Sequence, residues 1–351
     1  MAKTAVVLLN LGGPDSLEAV RPFLFNLFYD KAILAMPNPF RWLLAQLISR
    51  TRTKKAQGIY ARMGGKSPLL ENTITQKDAL EKALGDDYKV FIAMRYWHPL
   101  TDETVKAVQD YDPDQVILLP LYPHFSTTTT QSSVKEWDRL AKKQGLKKPT
   151  RGLCCFPTDN LFIQAHTDAL HTIYQQAQQF GNVRILFSAH SLPQKVIDKG
   201  DPYQWQIEEC AKEIIKNFKE KFQTQTDDWR VCYQSKVGPV KWLEPSLDIE
   251  IERAAQDKIS LVVVPISFVS DHSETLVELD MDFSEKAKNL GVPFYGRVPV
   301  LGTHPLFIEA LKILVTSCPR QTLCPKGQGY CCPSSGTSKI KSFNSTSASG
   351  F

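Results

Sequence analysis

Eight short apolar runs, rich in Val, Ile, Leu and Phe and bounded by Gly, Pro or polar residues, punctuate the chain at residues 5–9, 90–94, 116–121, 152–156, 183–188, 229–233, 259–265 and 294–298. Continuous runs of this length suit strands covered on both faces, because a half-exposed strand alternates apolar with polar positions. Between most of them lie longer stretches with apolar residues at helical spacing, including 70–84, 131–143, 161–180, 208–222 and 274–290. Strand alternating with helix predicts parallel sheets in a layered α/β architecture. Eight strands fit one sheet, yet the string divides into two groups of four near residue 150, which predicts two doubly wound lobes facing one another. The expected division is 1–149, then 150–318 with a helix over 306–315 packing back across the lobes, then a Cys-containing, Ser/Thr-rich tail at 319–351 whose composition is expected to stay mobile. No internal repeat is evident in the letters.

At 351 residues, 42% hydrophobic and 23% charged, the chain reads as an ordinary globular protein of two compact lobes or one large domain. The net charge of +5 is modest, and its 42 Lys and Arg are dispersed among 37 acidic residues, which argues against a nucleic-acid partner and leaves small anionic substrates or an acidic lipid surface open. The amino terminus runs into a strand-like stretch with no cationic leader, and no apolar run reaches the roughly 18 residues of a spanning helix. Cytoplasmic residence, with peripheral contact at the inner membrane, is the expectation. Eight cysteines in such a chain argue against a disulfide framework.

In open parallel sheets ligands bind beyond the carboxyl ends of the strands. Here those exits read Leu9-Asn-Leu-Gly-Gly-Pro14, Met94-Arg-Tyr-Trp-His-Pro99, Tyr122-Pro-His-Phe-Ser126, Ser188-Ala-His-Ser-Leu-Pro193, Gln234-Ser-Lys-Val-Gly-Pro239 and Ser267-Phe-Val-Ser-Asp-His-Ser-Glu-Thr-Leu276. Gly and Pro make tight turns, but the His, Arg, aromatic and carboxylate side chains among them need another reason. His190 falls two residues beyond an apolar run, where it would face the cleft. Asp271, Glu274 and Glu278 fall on one face of a helix beginning near Ser273. Like charges at that spacing cost about a few tenths of a kcal/mol. Asp271 suits an N-cap and Glu274 a first helical turn, but Glu278 has neither excuse. A row of carboxylates leading toward a histidine suits the passage of a cation and of protons.

At these residues the chain resembles the ferrochelatases, from Leu9 to about Val315. The motifs that carry the resemblance are Leu186-Phe-Ser-Ala-His-Ser-Leu-Pro193, Gln234-Ser-Lys-Val-Gly-Pro239 with Trp242, and Phe268-Val-Ser-Asp-His-Ser-Glu-Thr-Leu276, supported by Leu9-Asn-Leu-Gly-Gly-Pro14, Tyr60-Ala-Arg-Met-Gly-Gly-Lys-Ser-Pro68 and Arg95-Tyr-Trp-His-Pro99. The resemblance implies two similar Rossmann-like lobes, each with a four-stranded parallel sheet, enclosing a porphyrin cleft. It implies insertion of Fe(II) into protoporphyrin IX with release of two protons, the terminal step of haem biosynthesis, with coproporphyrin III as the alternative substrate and no nucleotide. It makes His190 and Glu274 the pair that handles metal and protons, with Asp271, His272 and Glu278 extending the polar path. Leu11, Tyr60, Arg95, Tyr96 and Trp242 then belong to the porphyrin wall or its support, and Arg52 and Ser67 meet propionates or the porphyrin rim. His190 and the acidic row could serve a metallohydrolase, but the chain has no compact ligand motif such as His-Glu-x-x-His, and that reading leaves the aromatic residues at the strand exits unexplained. A non-enzymatic haem carrier would not need the acidic row.

Two further features follow. The segment from Ala32 through Ile48 is apolar and is followed by Arg50, Arg52, Lys54 and Lys55, so it reads either as a core helix or as a cleft lip that touches an anionic bilayer. Cys318, Cys324, Cys331 and Cys332 cluster late in the chain, and Cys154 and Cys155 stand near its middle. Some ferrochelatases hold a 2Fe-2S cluster on three late cysteines and one internal one, which implies Cys154 or Cys155 with Cys324, Cys331 and Cys332. The internal cysteine of the animal version has no match, since Thr127 stands there. Free thiols or a zinc site remain the alternatives, and either a monomer or a homodimer fits.

Overall fold

The computed structural model describes residues 3–317. The late cysteines and the Ser/Thr-rich tail lie outside the described residues. Four strands, β1 (Thr4–Asn10), β2 (Tyr88–Met94), β3 (Gln115–Pro120) and β4 (Thr150–Gly152), form one sheet in the order β2-β1-β3-β4. Four more, β5 (Val183–His190), β6 (Trp229–Gln234), β7 (Ser260–Val264) and β8 (Tyr295–Arg297), form a second in the order β6-β5-β7-β8. Every pairing is parallel. The same strand order therefore occurs twice, although no repeat is visible in the letters. Helices link the strands, as parallel pairing requires. The central strands are the most apolar: all seven residues of β1 are buried, and so are all of β5 except His190.

Three local features depart from the sequence pattern. Residues 153–156 are buried like a strand, but the ladder stops at Gly152 because β4 pairs only with β3, over three residues. The first sheet thus closes at Gly152, just past the expected division. β5 runs two residues further than its apolar run, because Ala189 and His190 pair with Tyr233 and Gln234. The helix expected over 274–290 begins as a π-helix, Glu274–Phe283, and only then becomes α-helical at Ser284–Asn289. Its buried residues, Thr275, Val277 and Leu279, follow no 3.6-residue stripe, as a helix with a wider turn need not.

One apolar core runs through both lobes, from Leu8, Leu80 and Ile117 to Phe162, Phe187 and Phe307. The helix Pro305–Thr316 packs against helix Leu69–Leu84 of the first lobe and helix Asn160–Gln178 of the second. Gln76, fully buried on helix Leu69–Leu84, bolts the lobes together. Its Nε2 donates to the carbonyls of Val269 and Gly302 at 3.0 Å each, and its Oε1 accepts from Ser270 Oγ at 2.9 Å. Among the described residues no helix is long and apolar enough to cross a membrane.

Candidate active site

The end of β5, the end of β6 and the start of the π-helix converge between the lobes. His190 is the last residue of β5, and its Nδ1 lies 2.8 Å from Glu274 Oε2. An ionised carboxylate only accepts, so Nδ1 carries a hydrogen, and in the neutral ring Nε2 keeps the lone pair. The two side chains are 38% and 21% exposed, open enough to meet a ligand while paired to each other. Burial disfavours the charged imidazole, but the Glu274 charge and hydrogen bond outweigh it, so the His190 pKa is raised. Burial likewise resists ionisation of Glu274, yet His190, His272 and the Ser235 hydroxyl hold its pKa well below the usual carboxylate range.

Gln234 and Ser235, at the exit of β6, tie in the second glutamate. Ser235 Oγ lies 2.9 Å from Glu274 Oε2 and 2.6 Å from Glu278 Oε2. Gln234 Nε2 donates to the Glu274 carbonyl at 2.9 Å and to Glu278 Oε2 at 3.0 Å, and its orientation is fixed by Ser188 Oγ donating to its Oε1 at 2.7 Å. Ser235 has φ +64°, a region that a residue with a Cβ seldom occupies, and this conformation brings its hydroxyl between the two acids. Burial first, and the neighbouring Glu274 charge second, push the Glu278 carboxyl up to about 7. Glu274 Oε2 takes both His190 and Ser235, and Oε1 stands outside these contacts.

His272 lies just before the π-helix, edge-on to Phe268 at 4.6 Å. Its Nδ1 donates to the Ser270 carbonyl at 3.1 Å, and burial lowers its pKa, so the ring is neutral with an acceptor at Nε2. Asp271 stands apart from the glutamates. It faces Arg297 at 3.2 Å, and it lines a groove with Asn72, Thr75 and His304 that includes neither His190 nor Glu274. The N-cap position of the helix falls to Ser273, not Asp271.

The first lobe supplies an apolar cluster in which Leu11, Tyr60 and Tyr96 pack with Val20, Phe23 and Leu24. Tyr60, near the end of helix Phe40–Ala61, hydrogen-bonds Ser273, and burial pushes its phenol up to about 12. Arg95 and Tyr96 both turn to Asp30, a residue the sequence did not single out. Arg95 Nη2 and Tyr96 Oη reach Asp30 Oδ2 at 2.9 and 2.8 Å, and Ser132 Oγ donates to the same oxygen. Burial opposes the Asp30 charge, but Arg95 and these hydroxyls bring its pKa below the ordinary value. Arg95 and Tyr96 therefore direct their polar groups to Asp30 inside the first lobe. Ser67 is also internal: its amide donates to the Pro14 carbonyl at 2.8 Å, and a Cβ on Gly13 would come within 2.4 Å of its Oγ. Gly12, with φ +87°, passes so close to the Trp97 amide that a Cβ would sit 2.9 Å from it. Arg52 lies over the Phe28 ring at 5.8 Å. Trp242 sits beside Pro193, three residues past His190, through a short antiparallel bridge.

Cys154 and Cys155 are buried, with their sulfurs 3.2 Å apart, and Gln206 Nε2 donates to Cys155 at 3.4 Å. Thr127 donates its amide and hydroxyl to Asp201. Among the described residues no three His, Cys, Asp or Glu side chains converge to hold a metal ion.

Two four-stranded parallel lobes closing on a histidine–carboxylate pair define an α/β chelatase. The fold is similar to that of SirB from Bacillus subtilis with Fe3+ (TM-score 0.54, 14% identity, covering 90% of this chain and 95% of that one). The ferrochelatase family model matches residues 3–318, and the chain belongs to the ferrochelatase family. It is 52% identical over 321 residues to the ferrochelatase of Wolbachia sp. subsp. Drosophila simulans (strain wRi), covering 90% of this chain and all of that protein. It is also 52% identical over 314 residues to that of Caulobacter vibrioides (strain NA1000 / CB15N), covering 88% of each.

Proposed function

We propose that this enzyme inserts Fe(II) into protoporphyrin IX, with His190, Glu274 and Glu278 doing the chemistry. The observation that carries the assignment is the 2.8 Å contact of His190 with Glu274, extended through Ser235 to Glu278. Metallation must take two protons from pyrrole nitrogens while a divalent cation approaches the ring face. His190 Nε2 is the acceptor for a pyrrole proton, because Nδ1 already donates to Glu274. The imidazolium so formed rests against the Glu274 carboxylate. Before it takes that proton, the neutral imidazole can join Glu274 Oε1 in offering the iron a mixed oxygen–nitrogen approach, and the ring nitrogens complete its coordination. Glu278 then receives protons by way of Ser235 and releases them to solvent. His272 extends the polar path on the second lobe's side. Leu11, Tyr60 and Trp242 face the macrocycle, Arg95, Tyr96 and Ser67 brace that wall, and Arg52 stands at the rim for a propionate.

Helix Phe40–Ala61 presents Phe40, Trp42, Leu43 and Leu47 to solvent, 44–66% exposed, ahead of Arg50, Arg52, Lys54 and Lys55. An apolar row beside a basic flank suits peripheral contact with an anionic membrane. A 2Fe-2S cluster on Cys154, Cys324, Cys331 and Cys332 belongs to the same reading, and Cys154 is the one of these four within the described residues. Bound iron and sulfide in equal amounts in purified protein would support it; colourless protein lacking both would remove it.

The functional test is anaerobic incubation with Fe(II) and metal-free protoporphyrin. Turnover many times the protein concentration supports the reading, whereas stoichiometric binding without turnover would make the protein a carrier. Faster turnover of coproporphyrin III would shift the substrate assignment.

A further inference from the structure

β5 ends at His190, and just beyond it the Ser191 amide donates to the Gln234 carbonyl at 2.9 Å. Two side chains also hold the His190 peptide groups themselves. The His190 amide donates to Ser267 Oγ at 3.3 Å, and its carbonyl accepts from Tyr203 Oη at 3.1 Å. Tyr203 and Ser267 are themselves joined by a side-chain hydrogen bond, which closes a small ring of contacts around the peptide that carries the imidazole. Tyr203 is 6% exposed and opens helix Tyr203–Phe222, and its amide donates to Asp201 Oδ1 at 3.1 Å. The other oxygen of Asp201 belongs to the opposite lobe. Asp201 Oδ2 accepts from Ser126 Oγ at 3.0 Å and from the Thr127 amide and hydroxyl at 2.7 Å each. Asp201 is 6% exposed and makes no ion pair with Lys or Arg among the described residues, so three first-lobe donors hold a buried carboxylate in place.

We propose that Asp201 and Tyr203 are positioning residues that fix His190 against the first lobe, so that the Ser126–Thr127 loop sets where the imidazole points. The inference rests on the reading of His190 as the reacting base. Neither residue touches substrate. Each acts through the His190 backbone, and a displacement of a few tenths of an ångström there moves Nε2 relative to a ring held mainly by the first lobe.

Steady-state kinetics with Fe(II) and protoporphyrin on Tyr203→Phe, Asp201→Asn and the double variant test it, with His190→Ala as control and a thermal melt for each. Each single change is expected to lower kcat by roughly 10–100-fold while leaving the porphyrin KM within about twofold, as for outer-shell partners of a reactive histidine. The double variant is expected to be no slower than the slower single, because both break one relay. Three results would overturn the proposal: single variants with wild-type kcat, losses that multiply in the double variant, or a change confined to KM. Tyr203→Phe keeps the buried ring, so it decides the matter even if Asp201→Asn fails to fold. Should His190→Ala itself retain activity, the reading of the site fails rather than the relay alone.

Discussion

Ser235 Oγ lies 2.6 Å from Glu278 Oε2 while also reaching Glu274 Oε2 at 2.9 Å. A hydroxyl has one hydrogen to give, so two short contacts to acids require one of the acids to give a hydrogen back. Glu274 is held ionised by His190, which makes Glu278 the acid that carries the proton. The site thus stores one proton next to the His190–Glu274 pair.

From this follows a pH dependence. A carboxyl whose pKa is raised to about 7 holds its proton below that pH and cannot take another, so kcat for metal insertion should rise as pH passes upward through about 7. Glu278→Gln should remove the Glu278 share of that rise, leaving only that of His190, and lower kcat at pH 8 by roughly 10–100-fold. A pH–rate profile of both proteins checks it.

The same raised pKa has a consequence for stability. The folded state of this group binds its proton more tightly than the unfolded state, so its contribution is fully present below the unfolded value near 4.5 and is lost as pH rises through about 7. Glu278→Gln should therefore melt about 2 °C or more above the parent at pH 8 and show no such gain at pH 4. Thermal unfolding at the two pH values measures the difference.

Asp30 has a different role from the glutamates. Replacing it with Ala leaves the Arg95 guanidinium, only 16% exposed, without its carboxylate. Such a loss is expected to cost about 3 kcal/mol in stability, read by denaturant unfolding, whereas Arg52→Ala, over the Phe28 ring at the rim, should cost under about 1 kcal/mol.

For the helix at the cleft's lip, Leu43→Ser with Leu47→Ser should reduce flotation with anionic vesicles at least threefold at low salt, since each removes roughly 1.5–3 kcal/mol of burial. Flotation that is absent in the parent at low and high salt alike would count against the membrane contact.

Much of this was legible from the letters. The apolar runs announced eight strands and two lobes, and the unusual polar residues at strand exits marked His190, Glu274 and Glu278. What stayed hidden depends on contacts between distant residues. Asp30 looks like a surface acid until Arg95 arrives 65 residues later. Ser235 acquires its role from a left-handed backbone and from acids 39 and 43 positions away. The π-helix escaped because a template of 3.6 residues per turn does not describe its wider i→i+5 turn. Asp271 was drawn into the acidic row by spacing alone, and the chain before the π-helix turns it toward Arg297 instead.

Protoporphyrin binding, followed by fluorescence, and anaerobic Fe(II) insertion should be measured side by side on the parent, His190→Ala and Glu274→Gln. Porphyrin affinity should stay within about threefold, while insertion falls by roughly 100-fold or more in each variant. Insertion at near-parental rates by either variant would contradict a reaction centred on the His190–Glu274 pair.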